Sequence, residues 1–292
     1  MLQFELNFVI FSSIAQKMQM TDSELRVRKL IQAIEPKYEK LWDTISAIKK
    51  LAMSDGMIHF QYNLACCLFM IKEEYIKIKR ERSAFLNSGI AISYQQKQDR
   101  LKEFEKCLDA LKNLIYIGKS MGDAFAWFFY QNDRGMLNEH IAAEETLFAP
   151  GEIGSRGELE FTNKFKLFNG YLVLHHGITN ILRIGDASLI DSKTVSLAGL
   201  VELKSKKEGE NLVLTMHAFG YKSKEFDKQM NIGKNNVLIP SQNIQNEQEE
   251  DVYQKRLNKQ IATMLKSLDA AEEEAKTDKK KIGSYSKNNK YQ

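Results

Sequence analysis

The spacing of apolar residues changes at Ala149-Pro150-Gly151, and this change constrains the fold more than any other feature of the sequence. Before it, apolar residues recur at steps of three, four and seven, the spacing of one face of an α-helix. After it, short runs rich in β-branched and aromatic residues follow one another. We therefore expect an α+β protein in three parts: a coiled-coil-like helical domain over residues 1–148, an α/β core over 149–240, and a C-terminal helix with a basic tail over 241–292.

The helical part has a recognisable start and few interruptions. Thr21 and Glu24 have the spacing of a capping box, in which each side chain satisfies a backbone N–H of the other residue. The whole chain has only 3 prolines, and Pro36 is expected to kink the first helix at most. Further helices are expected at about 57–86 and 94–117, and the aromatic cluster at 125–130 is expected to be core.

Composition excludes a collagen, a disordered chain and a bundle of membrane helices. A net charge of +4 with 43% hydrophobic residues is typical of a globular chain and does not by itself indicate nucleic acid. Cys66, Cys67 and Cys107 are odd in number and lie in helical sequence, so a reducing compartment is expected. The apolar run at 6–11 has no basic residue before it, unlike a secretory signal. We expect a cytoplasmic protein without membrane spans.

The second part reads as a helix followed by a meander of strands. The helix is expected at Gly157–Phe168, and Asp191-Ser192-Lys193 is expected to form a hairpin turn. The expected strands are Tyr171–His176, Ile181–Ile190, Val195–Lys204 and Asn211–Phe219. His175 and His176 end the first of them, where one could contact a phosphate but polar surface is the commoner outcome.

Glu202 and Lys204 are the first candidates for chemistry. They lie two residues apart in an apolar strand, so both side chains leave the same face, while Val201 and Leu203 point into the core. A carboxylate can hold a hard cation, and a lysine can orient a water molecule and stabilise developing negative charge. Asp186 follows an apolar run, and a hairpin would bring it close to Glu202. Two neighbouring carboxylates repel each other, and a divalent cation relieves that repulsion.

A third carboxylate is expected from the preceding helix. Glu158 is three and seven residues before Phe161 and Phe165, so it shares their buried face and needs a partner there. Glu160 lies on a different face, four residues before Lys164, at the spacing of a solvated ion pair. We therefore expect Glu158, and not Glu160, to face the site.

These residues also carry a resemblance. The order of Gly154-Ser155-Arg156-Gly157-Glu158, then Ile184-Gly185-Asp186, then Val201-Glu202-Leu203-Lys204 resembles the PD-(D/E)XK nuclease superfamily, most closely its nuclease-related, restriction-endonuclease-like branch. Gly185 stands where the superfamily's name has proline, and no helix is evident between the third and fourth expected strands. The resemblance covers about residues 152–220. It implies a restriction-endonuclease-like core and a Mg²⁺- or Mn²⁺-dependent endonuclease that hydrolyses phosphodiester bonds of nucleic acid, with DNA as the expected substrate.

The resemblance further assigns roles and leaves alternatives open. Asp186, Glu202 and Glu158 would bind the metal, and all three would act in catalysis together with Lys204. The N-terminal helices would form a homo-oligomer or bind a partner protein, as in bacterial restriction or phage-defence effectors. One alternative is a catalytically inactive nuclease-like scaffold or nucleic-acid sensor with a helical interaction domain. Another is a helical interaction protein with accessory β segments, which would be favoured if those segments did not form one sheet.

Overall fold

The computed structural model describes residues 21–47, 55–89, 92–143, 153–168, 170–208, 211–220 and 236–240, with residues 266, 267 and 270. Apart from those last three, the expected C-terminal helix and basic tail lie outside the described residues, as does the apolar run at 6–11. The helices are α1 (Asp22–Ser46), α2 (Asp55–Asn87), α3 (Tyr94–Phe129), α4 (Arg134–Ala142) and α5 (Ile153–Lys164). Within these ranges, no helix is both long enough and apolar enough to cross a lipid bilayer.

The first helix begins as the sequence predicts. The Thr21 N–H donates to Glu24 Oε2 at 3.0 Å, and the Glu24 N–H donates to Thr21 Oγ1 at 3.4 Å. These two bonds form the capping box and satisfy N–H groups that have no acceptor within the helix. Pro36 lies inside α1 without ending it.

The strands form one sheet in sequence order. The described residues contain β1 (Leu167–Phe168), β2 (Tyr171–His175), β3 (Ala187–Asp191), β4 (Ser196–Glu208), β5 (Asn211–Gly220) and β6 (Asn236–Pro240). Each pairs with the next in antiparallel orientation. The fold is therefore α+β, as expected. Because the β segments join into one sheet, the condition that favoured accessory β segments is not met.

Three expected elements have clearly different bounds. The helix expected at 94–117 continues to Phe129. The helix expected to reach Phe168 ends at Lys164, because Gly170 at φ +87° allows a tight turn that pairs Phe168 with Tyr171. The strand expected over Ile181–Ile190 begins only at Ala187. Residues 181–184 have the apolar content of a strand, but their backbone N–H groups donate to the side chains of Asp123, Thr179 and His140 in place of a neighbouring strand.

Apolar side chains cover both faces of the sheet. On one face Phe161 of α5 packs with strand residues that alternate along the chain, namely Val173, Ala187, Leu189, Val201, Leu203 and Ala218. The other face buries Leu172, Leu174, Ile190 and Leu200, and there Tyr130 reaches Ser188. Val201 and Leu203 thus point into the core as predicted, and the opposite face of β4 is enclosed as well.

The chain divides into two compact units. One comprises the described residues up to Glu39 with Met70–Tyr116, and the other comprises Lys40–Phe69 with the described residues from Ile117 onward. In the first unit Arg26 binds Glu74 at 2.8 Å and Glu81 at 2.7 Å. The second unit holds the sheet, α4 and α5. The two units interleave along the sequence, whereas the division expected from periodicity is a single boundary at residue 148.

Candidate active site

Asp186 and Glu202 lie side by side on neighbouring strands. Ala187 pairs with Val201 in the β3–β4 ladder. Asp186 is one residue before this pair and Glu202 is one residue after it, so antiparallel geometry places them opposite each other. The Asp186 N–H donates to Val201 O at 2.8 Å, which continues the ladder by one residue. The hairpin therefore brings together two carboxylates that are far apart in sequence.

The carboxyl group of Asp186 is held by the backbone of β4. Its Oδ2 accepts the Leu203 N–H at 2.6 Å. Its backbone oxygen accepts the His176 N–H at 3.0 Å. Gly185, immediately before it, has φ +71°, a conformation that favours glycine and that turns the chain into β3. Backbone and side chain of Asp186 are thus both fixed at the end of the strand.

Glu202 and Lys204 form a close ion pair on one face of β4. Lys204 Nζ lies 2.6 Å from Glu202 Oε1, and the two side chains are 15% and 1% exposed. The second oxygen, Oε2, is buried and has no hydrogen-bond partner among the described residues. A buried carboxylate oxygen without a donor is costly, so this atom is available for a ligand.

Glu158 approaches the same site from α5. A Cβ added at Gly177 would lie 3.1 Å from Glu158 Oε2. The Glu158 carboxyl group therefore lies beside the turn that follows β2. Its negative charge also acts on Asp186. Glu160 is partly exposed and lies near Tyr62, whose phenol pKa is raised mainly by a hydrogen bond to Cys66 and also by the Glu160 charge. Glu158 thus lies close to Asp186 and Glu160 lies near Tyr62; both glutamates are partly exposed, and the assignment of Glu158 to the site stays a prediction.

Burial and neighbouring charges change the pKa values of Asp186 and Glu202. Burial, followed by the charges of Glu202 and Glu158, raises the pKa of Asp186 well above its usual range, against the opposing effects of the Leu203 N–H and Lys204. Burial also raises the pKa of Glu202, although the Lys204 ammonium opposes that shift. Within this group of four side chains, one ammonium faces three carboxylates.

The donor set suits a hard divalent cation. Carboxylate oxygens are the ligands that Mg²⁺ and Mn²⁺ prefer, and the two charges that Lys204 leaves uncompensated equal the charge of one such ion. The unpartnered Oε2 of Glu202 is an available oxygen donor. Over the described ranges, no three His, Cys, Asp or Glu side chains are already arranged as a metal-holding group. Metal binding at Asp186, Glu202 and Glu158 therefore stays a prediction.

The two histidines that end β2 are buried, so the expectation of polar surface was wrong. Each is 4% exposed. His175 packs edge-on against Phe161 of α5, and burial lowers its pKa to about 3. His176 hydrogen-bonds to Ser188 and Gly185, and burial lowers its pKa to about 4. Both rings are neutral at ordinary pH and lie within the packing that supports the site.

Sequence reasoning missed the helical residues that hold the segment before Asp186. Asp123 of α3 accepts the N–H groups of Asn180 and Ile181 at 2.6 and 3.1 Å. His140 of α4 accepts those of Arg183 and Ile184 at 3.2 and 3.1 Å. Polar residues on otherwise apolar helical stretches were the available signal, but nothing in the sequence connected them with residues 180–184.

In comparisons with known proteins, no family model, curated protein or solved structure matches the chain.

Proposed function

We propose that this protein is a Mg²⁺- or Mn²⁺-dependent endonuclease that hydrolyses phosphodiester bonds, with DNA as its substrate. The observation that supports the proposal is that Asp186, immediately before β3, lies beside the Glu202–Lys204 pair of β4, with the charge of Glu158 acting on Asp186. The resemblance of the same residues to the PD-(D/E)XK pattern supports it, as does the order of α5, β2, β3 and β4 along the chain. A restriction-endonuclease-like core is part of the proposal.

One departure from that superfamily bears on the fold. Its core has a helix between the third and fourth strands, whereas here β4 is followed directly by β5, which pairs antiparallel along most of its length. The residues proposed to act in catalysis all precede the end of β4. The proposal therefore depends on the helix and the three-stranded meander that bring them together.

Each side chain has a role that follows from its contacts. Asp186, Glu202 and Glu158 would hold the cation, which supplies charge neutralisation for the phosphate and a more acidic bound water. Lys204, held by Glu202 at 2.6 Å, can orient the attacking water and stabilise negative charge on the phosphate. In the reaction, the oxygen of water would bond to phosphorus and lose a proton to solvent, the bond to the leaving oxygen would break, and the leaving oxygen would take a proton from solvent.

Plasmid cleavage tests the proposal. Wild-type protein is incubated with supercoiled plasmid in Mg²⁺ or Mn²⁺ and, separately, in EDTA, beside Asp186→Ala and Lys204→Ala. Asp191→Asn is the matched control, because Asp191 ends β3 at the end away from Asp186 and its Oδ1 accepts the turn N–H of Lys193. We expect metal-dependent cleavage by wild type and Asp191→Asn and none by the other two. Equal cleavage by all four proteins would place the chemistry elsewhere.

The inactive scaffold or nucleic-acid sensor is the second candidate. The observation that favours it is the enclosure of Glu202, which is 1% exposed and already paired with Lys204. It predicts nucleic-acid binding that neither Mg²⁺ nor Asp186→Ala alters, with no cleavage under any condition. A binding measurement on the same proteins and the same plasmid separates the two candidates.

A further inference from the structure

A cluster of polar side chains is buried on the face of the sheet opposite α5. Tyr130, His140 and Ser188 are 0% exposed, and His176 is 4% exposed. Tyr130 Oη lies 3.1 Å from His140 Nε2 and 2.6 Å from Ser188 Oγ. Ser188 Oγ also lies 2.6 Å from His176 Nε2. Burying so many polar groups is costly unless each finds a partner, so their hydrogen bonds need to be accounted for one by one.

The partners of His140 fix its tautomer. Its Nδ1 accepts two backbone N–H groups, from Arg183 at 3.2 Å and from Ile184 at 3.1 Å. An imidazole nitrogen that accepts carries no proton, so in the neutral ring the proton is on Nε2. The Nε2–H therefore donates to Tyr130 Oη.

The direction of the remaining bonds follows from that donor. Tyr130 accepts from His140, and in the bond to Ser188 Oγ at 2.6 Å its hydroxyl is then the donor. The Ser188 hydroxyl then donates to His176 Nε2, which leaves the His176 proton on Nδ1. That Nδ1–H donates to Gly185 O at 2.9 Å. Each ring nitrogen and each hydroxyl proton in the chain is used in one consistent direction.

Both ends of this hydrogen-bonded chain reach the same short backbone segment. His140 binds the N–H groups of residues 183 and 184, and His176 binds the carbonyl of residue 185. Asp186 is the next residue, and residues 181–185 pair with no strand among the described residues. We infer that His140 and His176, with their tautomers set through Tyr130 and Ser188, are positioning residues that hold residues 183–185 so that Asp186 faces Glu202. The catalytic consequence rests on the proposed function.

Two substitutions of His140 separate positioning from general stability. Asparagine places an acceptor near the position of Nδ1, whereas glutamine reaches the position of Nε2 and leaves the Arg183 and Ile184 N–H groups without an acceptor. Amide hydrogen exchange needs no metal and reads those groups directly. We expect His140→Asn to keep the protection of both amides and His140→Gln to lose it. Equal exchange at these two amides in both variants would overturn the inference.

Mn²⁺ titration by calorimetry tests the consequence for the site. Loss of a residue that orients metal ligands typically lowers metal affinity by about 10- to 100-fold. We expect a loss in that range for His140→Gln and near-wild-type affinity for His140→Asn. Absence of Mn²⁺ binding by wild type would contradict the proposed function, and the exchange pattern would still decide the positioning role.

Asp133→Ala is the matched control. Asp133 is also buried, and its Oδ2 accepts the Leu197 N–H at 2.8 Å, at the end of β4 away from Glu202. The substitution removes the same kind of bond elsewhere in the sheet. It should speed exchange at Leu197, leave the amides of Arg183 and Ile184 protected, and keep Mn²⁺ affinity. If Asp133→Ala weakened Mn²⁺ binding as much as His140→Gln, the loss would reflect general destabilisation and the inference would fail.

Discussion

Gly122→Ala should destabilise the protein although it places a better helix former in a helix. Gly122 lies within α3, and a Cβ built there would be 2.0 Å from the backbone oxygen of Ile178 and 2.8 Å from its carbonyl carbon. Ile178 precedes the segment that leads to Asp186. The clash is with backbone, so no side-chain rotation relieves it, and one of the two segments has to move by about 1 Å to restore ordinary contact.

The sign of the effect follows from comparing two magnitudes. In an unobstructed helix, replacing glycine by alanine stabilises by about 1 kcal/mol. Overpacking of a well-filled site costs about 1–3 kcal/mol, and a contact as short as this one belongs at the upper end. We expect a net loss of about 2 kcal/mol in the free energy of unfolding, measured by urea denaturation followed by circular dichroism.

An exposed position of the same helix provides the control. Asn113 is exposed in α3, so Asn113→Ala should be stabilising by a few tenths of a kcal/mol, as helix propensity alone requires. Gly122→Ala should also weaken plasmid cleavage, because the segment it displaces carries Asp186. A Gly122→Ala protein as stable as wild type would refute the close approach of α3 to Ile178.

Three further predictions concern the titratable groups. Asp186→Asn should raise the free energy of unfolding at pH 7, because burial, followed by the charges of Glu202 and Glu158, raises the pKa of this carboxyl in the folded protein; a less stable variant in urea denaturation would contradict the repulsion. Glu158→Gln should markedly lower cleavage or Mn²⁺ affinity and Glu160→Gln should be close to silent in both assays; the reverse result would mean that α5 is rotated. His175 has its pKa lowered to about 3, so it stays neutral in the fold while the unfolded chain gains a proton below about pH 6.5, and stability is lost as pH falls. Between pH 4.5 and 6, the stability of His175→Asn should therefore depend on pH less steeply than that of wild type, by about 1.4 kcal/mol per pH unit; identical slopes would rule out a buried neutral ring.

Local patterns predicted the elements that local chemistry determines. The capping box at Thr21 and Glu24, the second helix and the β3–β4 hairpin turn follow from spacing and turn residues within a few positions of one another. The same holds for the faces of β4, because strand alternation alone separates Glu202 and Lys204 from Val201 and Leu203. Helical periodicity likewise separated Glu158 from Glu160.

Bonds between distant residues explain what the sequence could not predict. Residues 181–186 have the apolar content of a strand, but Asp123 and His140 take up their backbone N–H groups from helices about 40–60 positions earlier. The burial of His175 and His176 similarly depends on Phe161 and Ser188, which approach only in the folded chain. No periodic pattern records such pairings, since each is a single contact between separate elements.

The metal site is the central claim, and Mn²⁺ binding tests it most directly. Wild type and Asp186→Ala are titrated with Mn²⁺, and free Mn²⁺ is measured by electron paramagnetic resonance. The proposed ligands Asp186, Glu202 and Glu158 predict a bound Mn²⁺ in wild type that Asp186→Ala loses and that Mg²⁺ displaces. Equal Mn²⁺ binding by both proteins, or none by either, would contradict the assignment of Asp186, Glu202 and Glu158 as ligands.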